Sequence, residues 1–155
     1  MCPPPNVSLS DIAVAFAVPA GFTTAEAPDA ASVAAYEHTN ASSTSRIVGR
    51  RYALDVSTTP LDLIRTTAIS GTSGAPVNQT LFSSAGIAGR NFTVVPIERF
   101  EGVVDTAYYL KHGTDLLRFD AIDRNVNNWT DPNLNTSTLP AHTSLIKLLT
   151  TLQGQ

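Results

Sequence analysis

Three histidines, His38, His112 and His142, lie far apart in the chain. None belongs to an HExxH or a paired ligand spacing, and a metal ion needs ligands that converge, so no metal site is expected. His112 follows Lys111 at the end of a strand-like run, where an exposed turn histidine accounts for it. A nucleophilic serine would need a GxSxG elbow. The nearest glycine-rich segment, Gly71-Thr-Ser-Gly74, lacks that spacing. Gly86-Ile-Ala-Gly89 is short and has no Lys-Ser/Thr after it, so no phosphate loop is present. The carboxylates Asp105, Asp115, Asp120 and Asp123 cluster in sequence. Asp115 suits the first turn of a helix, and Asp120 and Asp123, with Arg118 and Arg124, suit a solvated helix face. These residues give no reason to expect an enzyme, a cofactor or a small-molecule substrate.

The basic residues are more suggestive. Arg46, Arg50 and Arg51 fall within one strand-like run, and Arg90 and Arg99 flank another. If these strands pair with a third carrying Tyr109 and Lys111, one sheet face presents guanidiniums and an aromatic ring. That combination contacts phosphates and stacks an unpaired base. Arg50 and Arg51 cannot point the same way in a regular strand. Arg51 is therefore grouped with Tyr109 and Lys111, while Tyr52, Leu54 and Val56 go to a helix-covered face. Ordinary strand arginines in salt bridges explain the same pattern.

The elements that must position these residues are mostly strands. Val103 to Lys111 alternates β-branched and aromatic residues with small or polar ones, as a half-buried strand does. Gly113 breaks it, Thr114 can cap the next element, and Leu116, Phe119, Ile122 and Val126 recur at helical spacing, predicting a helix from Asp115. RIVGRRYALDVS (46–57) and NFTVVPIERF (91–100) read as strands, the second edge-like or bulged at Pro96. The alternating apolar residues from Val7 to Val18 suggest a hairpin turning near Ser10 and Asp11, and DAASVAAYEHTN (29–40) is ambiguous but leans to strand. Thr59 and Pro60 make a helix start, and no structure is assigned to VNQTLFSSAGIAG (77–89). Leu145, Leu148, Leu149 and Leu152 form an apolar helical stripe behind Pro140. The expected class is α+β, an antiparallel sheet with an N-terminal hairpin and two C-terminal helices packed on one face.

The 155 residues suit one domain, residues 1–155. Charged residues make up only 15%, against about a quarter in a typical soluble domain. Hydroxyls and amides supply the remaining polarity, which suits a protein packed against copies of itself. With a net charge of −3 the chain lacks the overall footprint of a strong nucleic-acid binder. Cys2, the one cysteine, excludes an intrachain disulfide and a thiolate cluster, though it could link chains. MCPPPNVSLSD has no basic leader region, and the apolar run Ile12 to Val18 is too short to cross a bilayer. Six Asn-x-Ser/Thr sites occur, at Asn6, Asn40, Asn78, Asn91, Asn128 and Asn135.

In element order the chain resembles the coat proteins of single-stranded RNA bacteriophages (levivirus-like): the hairpin Val7 to Val18, the strands VAAYEHTNASS, SRIVGRRYALDVS, NFTVVPIERF and GVVDTAYYLKH, then two helices. The resemblance implies a virion subunit that dimerises into a continuous sheet and closes an icosahedral capsid around single-stranded RNA, with an RNA hairpin on the inner sheet face. Arg51, Tyr109 and Lys111, with Arg46 and Arg50, would then be the RNA-binding residues. Leu116, Phe119, Ile122, Leu145, Leu148, Leu149 and Leu152 would be the helix residues buried against the sheet or the partner. Two alternatives are a secreted or surface β-rich binding module, suggested by the six sequons, and a phage tail or fimbria-type subunit.

Overall fold

The computed structural model describes residues 7–9, 14–39, 44–70 and 73–154. In chain order its strands and α-helices are β1 (Val7–Leu9), β2 (Val14–Phe16), β3 (Thr23–Thr24), β4 (Ser32–Thr39), β5 (Thr44–Ala53), α1 (Pro60–Thr67), β6 (Ser83–Ile87), β7 (Arg90–Phe100), β8 (Val103–His112), β9 (Asp115–Asp123), α2 (Pro140–Thr150) and β10 (Gln153–Gly154). Seven strands form one antiparallel sheet in the order β3-β4-β5-β9-β8-β7-β6, and β1-β2-β10 form a small second sheet. The expected N-terminal pairing is present as β1 against β2, with Val7 opposite Phe16. Its turn near Ser10 and Asp11 lies outside the described residues.

Two hairpins are set by turns in which both central residues have positive φ. Ala88 and Gly89 (52° and 81°) join β6 to β7, and Glu101 and Gly102 (49° and 82°) join β7 to β8. Type I′ turns of this kind match the right-handed twist of the flanking strands. The Pro96 irregularity is also real: the β7–β8 register shifts between Pro96 and Glu98.

The predicted helix after Gly113 is instead β9, paired with β5 on one side and β8 on the other. Leu116, Phe119 and Ile122 fit a helical spacing, but the segment also satisfies period 2. Leu117, Phe119, Ala121 and Asp123 point one way, and Leu116, Arg118, Asp120 and Ile122 the other. Eight of its nine residues are buried. A central strand covered on both faces lacks the polar alternation that identifies a strand in sequence.

The helices cover opposite faces of the sheet, rather than one. Leu145, Leu148 and Leu149 of α2 pack with Leu117, Phe119, Ile47, Phe92 and Tyr108, together with Val14 and Phe16 of the small sheet. A fully buried leucine side chain contributes roughly 2 kcal/mol. Ile64 of α1 and Ala68 pack on the other face against Tyr109, Leu116, Val95 and Ile97. As its sequence suggested, α1 begins at Pro60, with the Thr59 hydroxyl accepting from Asp62 N at 3.1 Å. At the start of α2, Leu139 supplies no side-chain cap. Asp123 at the end of β9 replaces it: its carboxylate accepts from Ala141 N at 2.7 Å and His142 N at 3.3 Å. Burial pushes the Asp123 carboxyl up, and the Ala141 and His142 amides offset part of that rise.

Candidate functional site

On the α1 face the register sets charged residues side by side. Arg50 of β5 lies opposite Arg118 of β9, and Arg118 lies opposite Tyr109 of β8. Two residues along β9 on the same face, Asp120 receives Arg118 Nε and Nη2, each at 2.7 Å, in a bidentate fork. Arg50 Nη1 reaches the same carboxylate at 2.7 Å, and Arg50 Nε reaches Asp29 at 2.9 Å. The remaining Arg118 nitrogen, Nη1, bonds the Thr67 carbonyl at 2.7 Å and the Tyr109 hydroxyl at 3.2 Å. Thr67 Oγ1 lies 3.0 Å from that hydroxyl, so the C-terminal end of α1 is tied to the sheet through this cluster.

Asp120 has no exposed surface and Arg118 only 6%. Burial works to raise the Asp120 pKa, but the Arg118 charge and hydrogen bonds, a hydrogen bond from Asp105 and the Arg50 charge outweigh it and hold the group below the usual carboxylate range. Arg118 is driven the opposite way: burial disfavours its charge, and Asp120 more than restores it. Asp105 of β8 is the exception in this cluster. Burial, and then the neighbouring Asp120 charge, push it well above its ordinary value. In its protonated form it donates to Asp120, while its Oδ1 is buried without a hydrogen-bond partner among the described residues. The two carboxyl groups thus share a proton beside two arginines. Burial also pushes the Tyr109 hydroxyl up to about 12.

The residues expected to meet on one RNA-facing surface are therefore split. Arg50, rather than Arg51, shares the face of Tyr109 and Lys111. Arg51 lies opposite Leu117 on the other face and pairs with Asp115 at 2.8 Å. Arg46 pairs with Glu37 at 2.9 Å. Tyr109 is 1% exposed, which leaves no ring available for a base, and Lys111 lies exposed near the end of β8. Of the helix residues anticipated, Leu145, Leu148, Leu149 and Leu152 are buried around α2, whereas Leu116, Phe119 and Ile122 belong to β9.

Among the histidines, His142 Nε2 lies 2.5 Å from the Tyr108 hydroxyl in the α2-side core, where burial holds its pKa below the ordinary value. The His38 ring packs 5.5 Å from Phe22, and His112 lies at the end of β8. Among the described residues no group of His, Cys, Asp and Glu is placed to hold a metal ion. No helix among them is long and apolar enough to cross a membrane.

A second feature went unassigned in the sequence. The main sheet ends in β6, and Ser83, Ser84 and Gly86 along it are exposed. Its pairing with β7, Ile87 to Arg90 and Ala85 to Phe92, directs the Ser83, Ala85 and Ile87 backbone groups inward and those of Ser84 and Gly86 outward. The signal available in sequence was the two-residue turn Ala88-Gly89 ahead of a clear strand.

A seven-stranded antiparallel sheet with helices on both faces is an architecture shared with solved structures. Cyanobacterial PsbP (CyanoP) from Synechocystis matches with a TM-score of 0.61 at 12% identity, over 96% of this chain and 91% of that one. A protein from Bacteroides thetaiotaomicron matches with a TM-score of 0.57 at 9% identity, over 92% of this chain and 45% of that one, so this chain spans less than half its length. No protein-family model and no curated protein matches the sequence. At these identities the likeness shows the fold. It also overturns the phage-coat expectation, and with it the capsid function and the virion location: the neighbours are PsbP and a Bacteroides protein. The physical reason is β9, since a segment in the middle of the sheet cannot be the first of two helices laid across a partner.

Proposed function

We propose that this chain is a binding domain of PsbP-like fold which works through protein contacts and performs no covalent chemistry. The observation that supports this most is the edge at β6, open among the described residues: a five-residue strand whose Ser84 and Gly86 present outward N–H and C=O groups that are ready to pair with another strand. The side chains with chemical potential are used differently: Arg118, Asp120, Arg50, Tyr109 and Thr67 bond one another within the layer between sheet and α1. The likeness to PsbP, at a TM-score of 0.61, supports the fold on which this reading is placed.

The test is a photo-cross-linking residue at Ser84, compared with one at Asn133, an exposed position in the loop before α2. Irradiated in producing cells, the Ser84 variant is expected to give a discrete protein adduct that the Asn133 variant does not. Equal labelling from both positions, or none from either, overturns the reading.

A further inference from the structure

We infer that the strand accepted at the β6 edge is β6 of a second copy of this chain, paired antiparallel about a two-fold axis at Ala85. This assignment of the partner rests on the binding-domain reading above.

Four observations carry it. First, no charged residue occurs between Arg65 and Arg90, a stretch of 24 residues that includes the whole of β6. Edge strands of proteins that stay single are usually guarded by lysine, an inward charge, proline or a bulge. The β6–β7 register runs without a shift from Ser83 to Ile87. Second, the outward groups are self-complementary. With Ala85 opposite its own copy, Ser84 of one chain faces Gly86 of the other, and each pair exchanges both backbone N–H···O bonds. Ala85 then falls at the closely spaced, non-hydrogen-bonded position, where a methyl group fits. Third, a Cβ added at Gly86 would meet nothing within 4 Å. The space about this position of the edge is thus clear of the chain's own side chains, and nothing stands in the way of a second backbone there. Fourth, Leu81, just ahead of β6, is 56% exposed. It ends the 3₁₀ turn Gln79–Leu81 beside the edge, where a second chain paired to β6 would cover it.

An extended peptide from another protein is the competing occupant. Peptide recognition by strand addition takes its specificity from pockets for alternate side chains. Three concavities of the surface, around Asp62 to Thr66 with Pro76 to Gln79, around Thr23, Thr24, His38 and Arg46, and around Leu54 to Pro60 with Lys111, are lined by segments other than Ser83–Ile87. The small side chains of β6 suit its own copy better than a side-chain-specific ligand.

The experiment is light scattering on the purified chain over a concentration series, with amide hydrogen exchange of Ser84 and Gly86 followed in parallel. The expected result is a mass rising with concentration to twice the 16.4 kDa of one chain, with both amides becoming protected as it rises. Gly86→Pro removes an outward N–H without touching the ladder to β7, and Ser84→Lys places a charge on the edge. Both are expected to lose the doubled mass and the protection of the amides that remain, while melting as the wild type does at concentrations where it is a single chain. If Gly86→Pro fails to fold, Ser84→Lys carries the comparison alone. A mass of one chain at every concentration, or a wild-type dimer in which the Ser84 and Gly86 amides still exchange freely, overturns the inference. A single-chain mass together with a Ser84 adduct to a different protein sinks only the self-pairing. A single-chain mass with no Ser84-specific adduct sinks the binding-domain reading as well.

Discussion

The two faces of the main sheet bury comparable segments by opposite means. Under α2 the layer is mostly leucine, phenylalanine and valine, and its buried polar groups are spread out: Asp123 at the helix start with Ser45 beside it, Thr106, Asp115, the Tyr108–His142 pair, and Thr151, whose hydroxyl accepts from Ala17 N at 2.8 Å. Under α1 an apolar layer of Ile64, Val95, Ile97, Tyr109 and Leu116 adjoins a charged cluster with Arg118 and Asp120 at its centre. An apolar layer adapts to loss by partial collapse, and its cost grows with the hole left behind. A charged layer has no such freedom. Each ion is tolerable only while its partners remain, so removing one leaves another stranded. The α1 face is thus the less forgiving of the two, although it buries fewer carbon atoms.

The largest effect expected from this contrast is Arg118→Ala, which leaves the buried Asp120 carboxylate with Arg50 as its one cation beside the Asp105 hydrogen bond, and removes the bond to the Thr67 carbonyl. Chemical denaturation is expected to show a loss of about 4 kcal/mol, and a loss below that of a core leucine would contradict the contrast. Leu149→Ala on the α2 face is next, at about 3 kcal/mol. Combined with Arg118→Ala it should add without coupling, because the sheet separates the two sites.

The third variant, Asp105→Asn, probes the charged layer through pH. The native Asp105 carboxyl stays protonated above its ordinary range while the unfolded one ionises, so the native state binds more protons in that window. Wild-type stability therefore falls as pH rises from the ordinary aspartate value to the raised native one, by up to about 1.4 kcal/mol per pH unit. Asp120, held low, works in reverse: its contribution is present above the ordinary value and is lost as pH falls through the depressed one. The asparagine amide still donates to Asp120 but cannot ionise. The variant should therefore lack the decline on the alkaline side and exceed wild type there. Superimposable stability profiles from pH 5 to 8 would rule out the shared proton.

Much of the fold was legible wherever a strand shows one wet face. β5, β7 and β8 announced themselves by alternation, α1 by Thr59-Pro60, and α2 by its leucine stripe. β9 was not legible, for a reason that also hid the charged cluster. Arg118 and Asp120 look solvated in sequence, and only a strand on either side and a helix above turn them into a buried pair. Asp105 gave no sign either, because its environment is made by residues from β9 and β5. At the other extreme, β6 is too short and too small in its side chains to register as a strand, yet its lack of charge could be read directly from Thr66 to Gly89.

The placement of β9 also governs how the chain comes together. β4 and β5 are joined locally, as are β6, β7 and β8, so each group can form from neighbours in sequence. The contact between the groups is different, since β5 and β9 pair Ser45 with Asp123 and Ala53 with Asp115 across a long loop. Closing that loop costs entropy before the pairing returns anything, which makes it the slow event in a sheet of this topology. A nascent chain that has reached His112 holds two separate meanders. The residues that emerge next, through Asp123, make them one sheet.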